Sequence, residues 1–175
     1  MEKIRKTETL FQGKKFEVRQ LAIELESGET ANWEIVHKGN SVAMVPVDRD
    51  NNVYLVEEYF AATDERALCL PKGMIDKGES PSEAALRELQ EEIGMRGALR
   101  HLVDIRVSPG YLTQITSLFL VTDLEPAKRE GDEQHYLEPV KMPLEEALNK
   151  VKKGEITKAR TIGGLALAML MSKER

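Results

Sequence analysis

The chain has one cysteine, Cys69, so no internal disulfide can form and a reducing compartment is expected. It has no long hydrophobic run. The longest apolar stretch near the end, 162–171, is too short to span a bilayer, and the first fifteen residues lack the apolar core of a secretory signal. It has no excess of basic charge. A formal net charge of −5 with no offsetting basic stripe argues against a general binder of nucleic-acid polymers. Its three histidines, His37, His101 and His135, are scattered and form neither a zinc pattern nor a triad. No internal repeat and no low-complexity segment interrupts the chain. These absences point to a cytoplasmic protein with no membrane partner.

What is present suits a globular protein. In 175 residues, 41% are apolar and 31% charged, enough for one cored domain with a small appendage. Residues 1–40 read as a separate β element. Phe16, Val18, Leu21, Ile23 and Leu25 alternate patchily, Ser27, Gly28 and Glu29 make a turn, and 32–37 is a second strand. Two strands alone are marginal in water, so this unit is expected to pack on something. Residues 41–48 and 52–59 are strands joined by a turn at Arg49, Asp50 and Asn51. That turn opens like a calcium loop, but Val53 and Tyr59 stand where such a loop needs glycine and glutamate. A short strand, 67–71, leads to Gly73. Later come strands at 99–107 and 115–122 around a turn at Ser108, Pro109, Gly110 and Tyr111. A polar loop follows over 125–138, then a short strand at 140–142 and helices over 143–151 and 157–171.

The most informative stretch is 73–95, GMIDKGESPSEAALRELQEEIGM. Its second half carries full helix punctuation: Ser80 as N-cap, Pro81 in the first turn, Glu83 completing a capping box and Gly94 beyond the last periodic residue. Ala85, Leu86, Leu89 and Ile93 form an apolar stripe, and Glu88, Glu91 and Glu92 crowd the neighbouring face at i, i+3 and i+4. Like charges so placed destabilise a helix unless something neutralises them. Hard divalent cations suit such a cluster.

Gly73, Glu79 five residues on, and after seven more the run Arg87, Glu88, Leu89, Gln90, Glu91, Glu92, Ile93, Gly94, Met95 match every fixed position of the Nudix hydrolase box. The chain therefore resembles the Nudix family, specifically over 73–95 and at the level of the fold from about residue 41 onward. The resemblance implies an α/β fold: a Nudix α/β/α sandwich with a mixed sheet over 41–175, preceded by the small antiparallel β unit of 1–40. It also implies that this β unit pairs two chains into a homodimer.

Carried over position by position, the resemblance implies Glu88 and Glu92 as the main ligands of Mg²⁺ (or Mn²⁺) and Glu91 as an additional one. Glu79 and the main-chain carbonyl of Lys72 are further contacts, and Arg87 pairs with Glu79. The general base is sought in the acidic loop at Glu130, Asp132 or Glu133, with Glu133 preferred; in some branches a box glutamate such as Glu91 serves. Pro109 and Tyr111 are similar to residues of enzymes that hydrolyse ADP compounds, and Trp33 and Tyr111 are candidates to stack on adenine. Lys72 departs from the alanine usual in ADP-ribose enzymes and is commoner in diadenosine or diphosphoinositol polyphosphate hydrolases. The expected activity is Mg²⁺-dependent cleavage of ADP-ribose and related compounds to AMP and a phosphorylated remainder. The alternatives are diadenosine polyphosphate or RNA-cap hydrolysis by the same chemistry, or a nucleotide sensor that does not cleave.

Overall fold

The computed structural model describes residues 1–129 and 137–172. These form two compact units, Met1–Asn40 with Arg106–Ile115, and Ser41–Ile105 with Thr116–Arg175. A boundary drawn at residue 40 from sequence alone misses that 106–115 returns to the first unit. The reason is hydrogen bonding. Val36 donates its amide to the Tyr111 carbonyl and accepts from the Thr113 amide, Gln114 Nε2 donates to the Gly39 carbonyl and the Ile115 amide donates to Asn40 Oδ1.

The first unit is a three-stranded antiparallel sheet of β1 (Lys3–Gln12), β2 (Glu17–Glu24) and β3 (Thr30–His37), in that order. β1 is an element that sequence patterning misses, because KIRKTETLFQ has no period-two apolar pattern. All ten of its residues are exposed, and main-chain pairing to β2 alone defines it.

The second unit holds β4 (Ser41–Pro46), β5 (Asn52–Phe60), β6 (Glu65–Cys69), β7 (Lys72–Met74), α1 (Pro81–Ile93), β8 (Met95–Ile105), β9 (Thr116–Pro126), β10 (Glu138–Pro143), α2 (Leu144–Lys152) and α3 (Ala159–Ser172). One sheet is mixed, in the order β7, β4, β9, β8, with β4 and β9 parallel; a second is antiparallel, in the order β10, β5, β6. Alternation along the strands builds two cores. Ala43, Val45, Val47, Val53, Leu55, Leu118 and Leu120 meet α2 and α3, whereas Val42, Met44, Val56, Phe119 and Val121 meet α1. Successive side chains point to opposite faces, so apolar runs such as SVAMVP place the sheet between two helical layers. This is the α/β/α sandwich. Strand β9 runs further into the polar segment than its composition suggests. Among the described residues no helix is long and apolar enough to cross a membrane.

Asp48 closes the turn between β4 and β5. Its Oδ1 accepts from the amides of Asp50 and Asn52, and Lys141 on β10 pairs with its Oδ2 at 2.7 Å. The loop is a hairpin turn, as its missing calcium ligands imply.

Candidate active site

Helix α1 starts and stops where its caps dictate. The Ser80 hydroxyl accepts from the Glu83 amide, the Glu83 carboxylate accepts from the Ser80 amide at 2.8 Å, and Gly94 takes a left-handed φ of 69°. The helix buries Ala84, Ala85, Leu89 and Ile93 together with Glu88 and Glu92. The three glutamates thus do not share one solvated face. Two of them belong to the buried one, and Glu91 is 9% exposed beside them.

Buried carboxylates need partners. Glu92 Oε2 accepts the main-chain amide of Lys72 at 2.8 Å. The Arg87 guanidinium forks onto Glu79, with Nε to Oε1 and Nη2 to Oε2, both 2.9 Å. Its Nη1 reaches Glu88 Oε1 at 2.7 Å and Glu91 Oε2 at 3.2 Å, and Nη2 also donates to the Met74 carbonyl at 2.9 Å. Arg129 approaches the other oxygen of Glu91 at 3.3 Å. The bond to Arg87 holds the Glu79 carboxyl below the usual carboxylate range, and the same bond raises Arg87. Three carboxylates, Glu79, Glu88 and Glu91, gather on the Arg87 guanidinium, and Arg129 reaches one of them.

Gly73 shapes the floor of the site. A Cβ there would stand 1.8 Å from the Glu88 carboxyl carbon, so only glycine leaves room for that side chain over β7. Among the described residues, no three histidine, cysteine, aspartate or glutamate side chains converge on a common point as the ligands of one ion. Three of the four glutamates are turned toward Arg87.

The structure therefore brings together Lys72, Glu79, Arg87, Glu88, Glu91 and Glu92. Trp33 and Tyr111 belong to the first unit. Trp33 lies on β3, paired in register with Leu21, and Tyr111 lies in the turn that hydrogen-bonds to Val36; both side chains are exposed. Glu130, Asp132 and Glu133 lie outside the described residues. Cys69 is buried, and burial pushes its thiol up to about 12, which rules it out as a nucleophile near neutral pH.

The pairing of Arg87 with Glu79 is the expected one, and the i, i+4 spacing to Glu91 adds a second contact. Sequence reasoning overlooked two other participants, Arg129 and Glu58. Arg129, inside the polar run of 125–138, gave no signal. Glu58 gave none either, because its ion pair with Lys72 forms only when β5 meets the start of β7.

Comparison with known proteins agrees with this geometry. The NUDIX domain model matches residues 37–162. A methanol dehydrogenase activator from Bacillus methanolicus is 30% identical, covering 92% of this chain and 89% of its own. An ADP-ribose pyrophosphatase from Bacillus subtilis is 32% identical, covering 95% and 91%. The crystal structure of an ADP compounds hydrolase superposes with a TM-score of 0.89 at 30% identity, over 99% of this chain and 95% of that one. With the box residues gathered at one site and the domain matched over most of its length, the chain belongs to the Nudix hydrolase family.

Proposed function

We infer that the protein is a Mg²⁺-dependent pyrophosphohydrolase that cleaves the phosphoanhydride of ADP-ribose and related ADP compounds, giving AMP and a phosphorylated remainder. One observation carries this reading: the buried carboxylate of Glu88 lies over Gly73, where any Cβ would collide with it, one turn from the buried carboxylate of Glu92. The donor set of carboxylate oxygens suits a hard divalent cation, and it holds more negative charge than its two arginines balance. Glu88 and Glu92 are the main ligands, with Glu91, Glu79 and the Lys72 carbonyl as further contacts; Mn²⁺ meets the same requirements. The metal supplies charge neutralisation on the phosphates and lowers the pKa of a water.

The chain's own residues do the rest. Arg87 fixes Glu79 and sets the side chains of Glu88 and Glu91, while the Lys72 amide aims Glu92. Glu133 is the proposed base, followed by Glu130, with Glu91 the alternative within the helix. Trp33 and Tyr111, large aromatics left exposed, are the proposed adenine contacts. The enzyme is proposed to act in the cytoplasm as a homodimer, with a nucleotide as its small-molecule partner.

The relatives named for ADP-ribose and ADP compounds support this substrate class. A hydrolysis screen over ADP-ribose, diadenosine phosphates, NADH and ADP-sugars tests it. ADP-ribose should yield AMP and ribose phosphate with Mg²⁺ and nothing with chelator. Preference for diadenosine phosphates by more than tenfold would replace the substrate assignment, and no turnover of any of them with Mg²⁺ or Mn²⁺ would remove it.

A further inference from the structure

Glu58 and Lys72 lie outside the carboxylate cluster but are connected to it. On β5, Glu58 and Phe60 project from one face at a two-residue spacing. The Lys72 ammonium pairs with Glu58 and lies 5.5 Å from the centre of the Phe60 ring. Lys158, just before α3, stands 4.5 Å from the same ring and pairs with Glu65 on β6. The Cys69 thiol donates to the Glu58 carboxylate at 3.5 Å. Lys72 is thus held from several sides, and its side chain is only 22% exposed. Burial acts to lower its ammonium, and the charge and hydrogen bond of the Glu58 carboxylate act to raise it.

The same residue donates its main-chain amide to Glu92 Oε2 at 2.8 Å. Lys72 therefore spans two structures, its side chain anchored on β5 and its amide directed at a carboxylate of α1. β7 is held by three residues paired with β4, and the Met44 amide donates to the Pro71 carbonyl at 2.9 Å in the same peptide group as the Lys72 amide. The ion pair adds a side-chain anchor at that first residue.

We propose that the Glu58–Lys72 ion pair is a positioning device: it fixes the start of β7 so that the Lys72 amide holds the Glu92 carboxylate in its working orientation. The proposal rests on the reading of Glu92 as a metal ligand. Lys72 acts here through Glu92 and does not touch the substrate.

Full-length Glu58→Gln, Lys72→Met, the double variant and Lys72→Arg test it. The amide of residue 72 should be protected from hydrogen exchange in the wild type and lose protection in both single variants. Each single variant should lower kcat about tenfold, as loss of a group that orients a metal ligand does, with KM for the nucleotide nearly unchanged. The Mg²⁺-induced rise in melting temperature should shrink in parallel. The double variant should be no worse than either single one, because both break one connection. Lys72→Arg, which keeps the ion pair, should restore most of the activity and the exchange protection. A rise in KM with kcat intact would make Lys72 a substrate contact and overturn the proposal. So would additive single effects, or amide protection unchanged in the variants. If wild-type melting is indifferent to Mg²⁺, the metal reading fails, and the exchange rates still decide whether the ion pair sets the amide.

Discussion

The carboxyl carbon of Glu88 lies 1.8 Å from the point where Gly73 would carry a Cβ. A helix side chain therefore crosses the strand at the one residue that has none. Gly73→Ala forces Glu88 to swing away, and because the obstruction is the far end of a flexible side chain, the fold should accommodate it. Melting should shift by a few degrees at most, while turnover should fall about a hundredfold, the scale for displacing a catalytic group. Calorimetry beside a kinetic assay checks this. Turnover within tenfold of wild type would show that Glu88 is not needed where it stands.

Arg87 joins the buried carboxylate of Glu88, the half-buried ones of Glu79 and Glu91, and a main-chain carbonyl, so its removal should act on stability as well as on activity. Breaking a buried ion pair from one side leaves uncompensated charge and typically costs 3–5 kcal/mol. Arg87→Ala should lower the melting temperature by roughly 6–20 °C, taking about 2–4 °C per kcal/mol for a chain of this size. Arg87→Lys, which cannot fork onto Glu79, should recover only part of that. Mg²⁺ should recover more of the melting temperature in Arg87→Ala than in the wild type, since it then meets more unbalanced charge. A melting curve of Arg87→Ala that overlays the wild type would contradict the network.

Much of this site could be read before the structure, for a physical reason. Helix α1 is specified locally by Ser80, Glu83 and Gly94, and helical spacing then places Glu88, Glu91 and Glu92 together without reference to the rest of the fold. The β/α order and the two-sided burial of β4 were equally legible in its continuous apolar run. Nonlocal facts were not legible. β1 has no apolar pattern and exists through its pairing with β2. Residues 106–115 join the first unit through bonds to Val36, Gly39 and Asn40 that span some seventy-five positions. Glu58 meets Lys72 only across a strand pairing. The burial of Glu88 and Glu92 was not legible either, because nothing local to an acidic helix face shows which strand covers it.

Acid should weaken the turn at Asp48. Burial alone would raise this carboxyl, but Lys141 and the donors of Asn52 outweigh it and bring it from 3.8 to about 2. A carboxyl depressed in the folded state contributes stability that is fully present above 3.8 and is lost as pH falls through 2. With screening at this partly solvated site, the contribution is about 1 kcal/mol. Asp48→Asn keeps acceptors for the turn amides and loses the charge. Urea unfolding should show the variant less stable at pH 7, with the gap from wild type closing between pH 4 and pH 2. A gap that stays constant across that range would mean the charge contributes nothing.

The first unit leaves Ile4, Leu10, Phe11, Phe16 and Trp33 exposed, and β1 forms an edge strand ten residues long with no partner on its outer side among the described residues. A three-stranded sheet with that much uncovered apolar surface gains little from its own packing, and a long open edge invites pairing with another chain. The expected outcome is a homodimer through this unit. Deleting the first 38 residues would be a poor test, because it would also strip 106–115 of its hydrogen bonds to Val36 and Lys38. Point changes are cleaner. Ile4 pairs with Ile23 and Trp33 with Leu21, which puts all four on one face of the sheet. Ile4→Glu and Trp33→Glu each place a charge on that face without touching the main-chain ladder. Light scattering of the wild type at micromolar concentration should give twice the 19.7 kDa chain mass, and each variant should shift toward the monomer. Because Trp33 is also a proposed adenine contact, Ile4→Glu is the decisive variant: a monomer with raised KM would tie the nucleotide site to the paired state. A wild-type mass of one chain would mean that the exposed face serves another purpose.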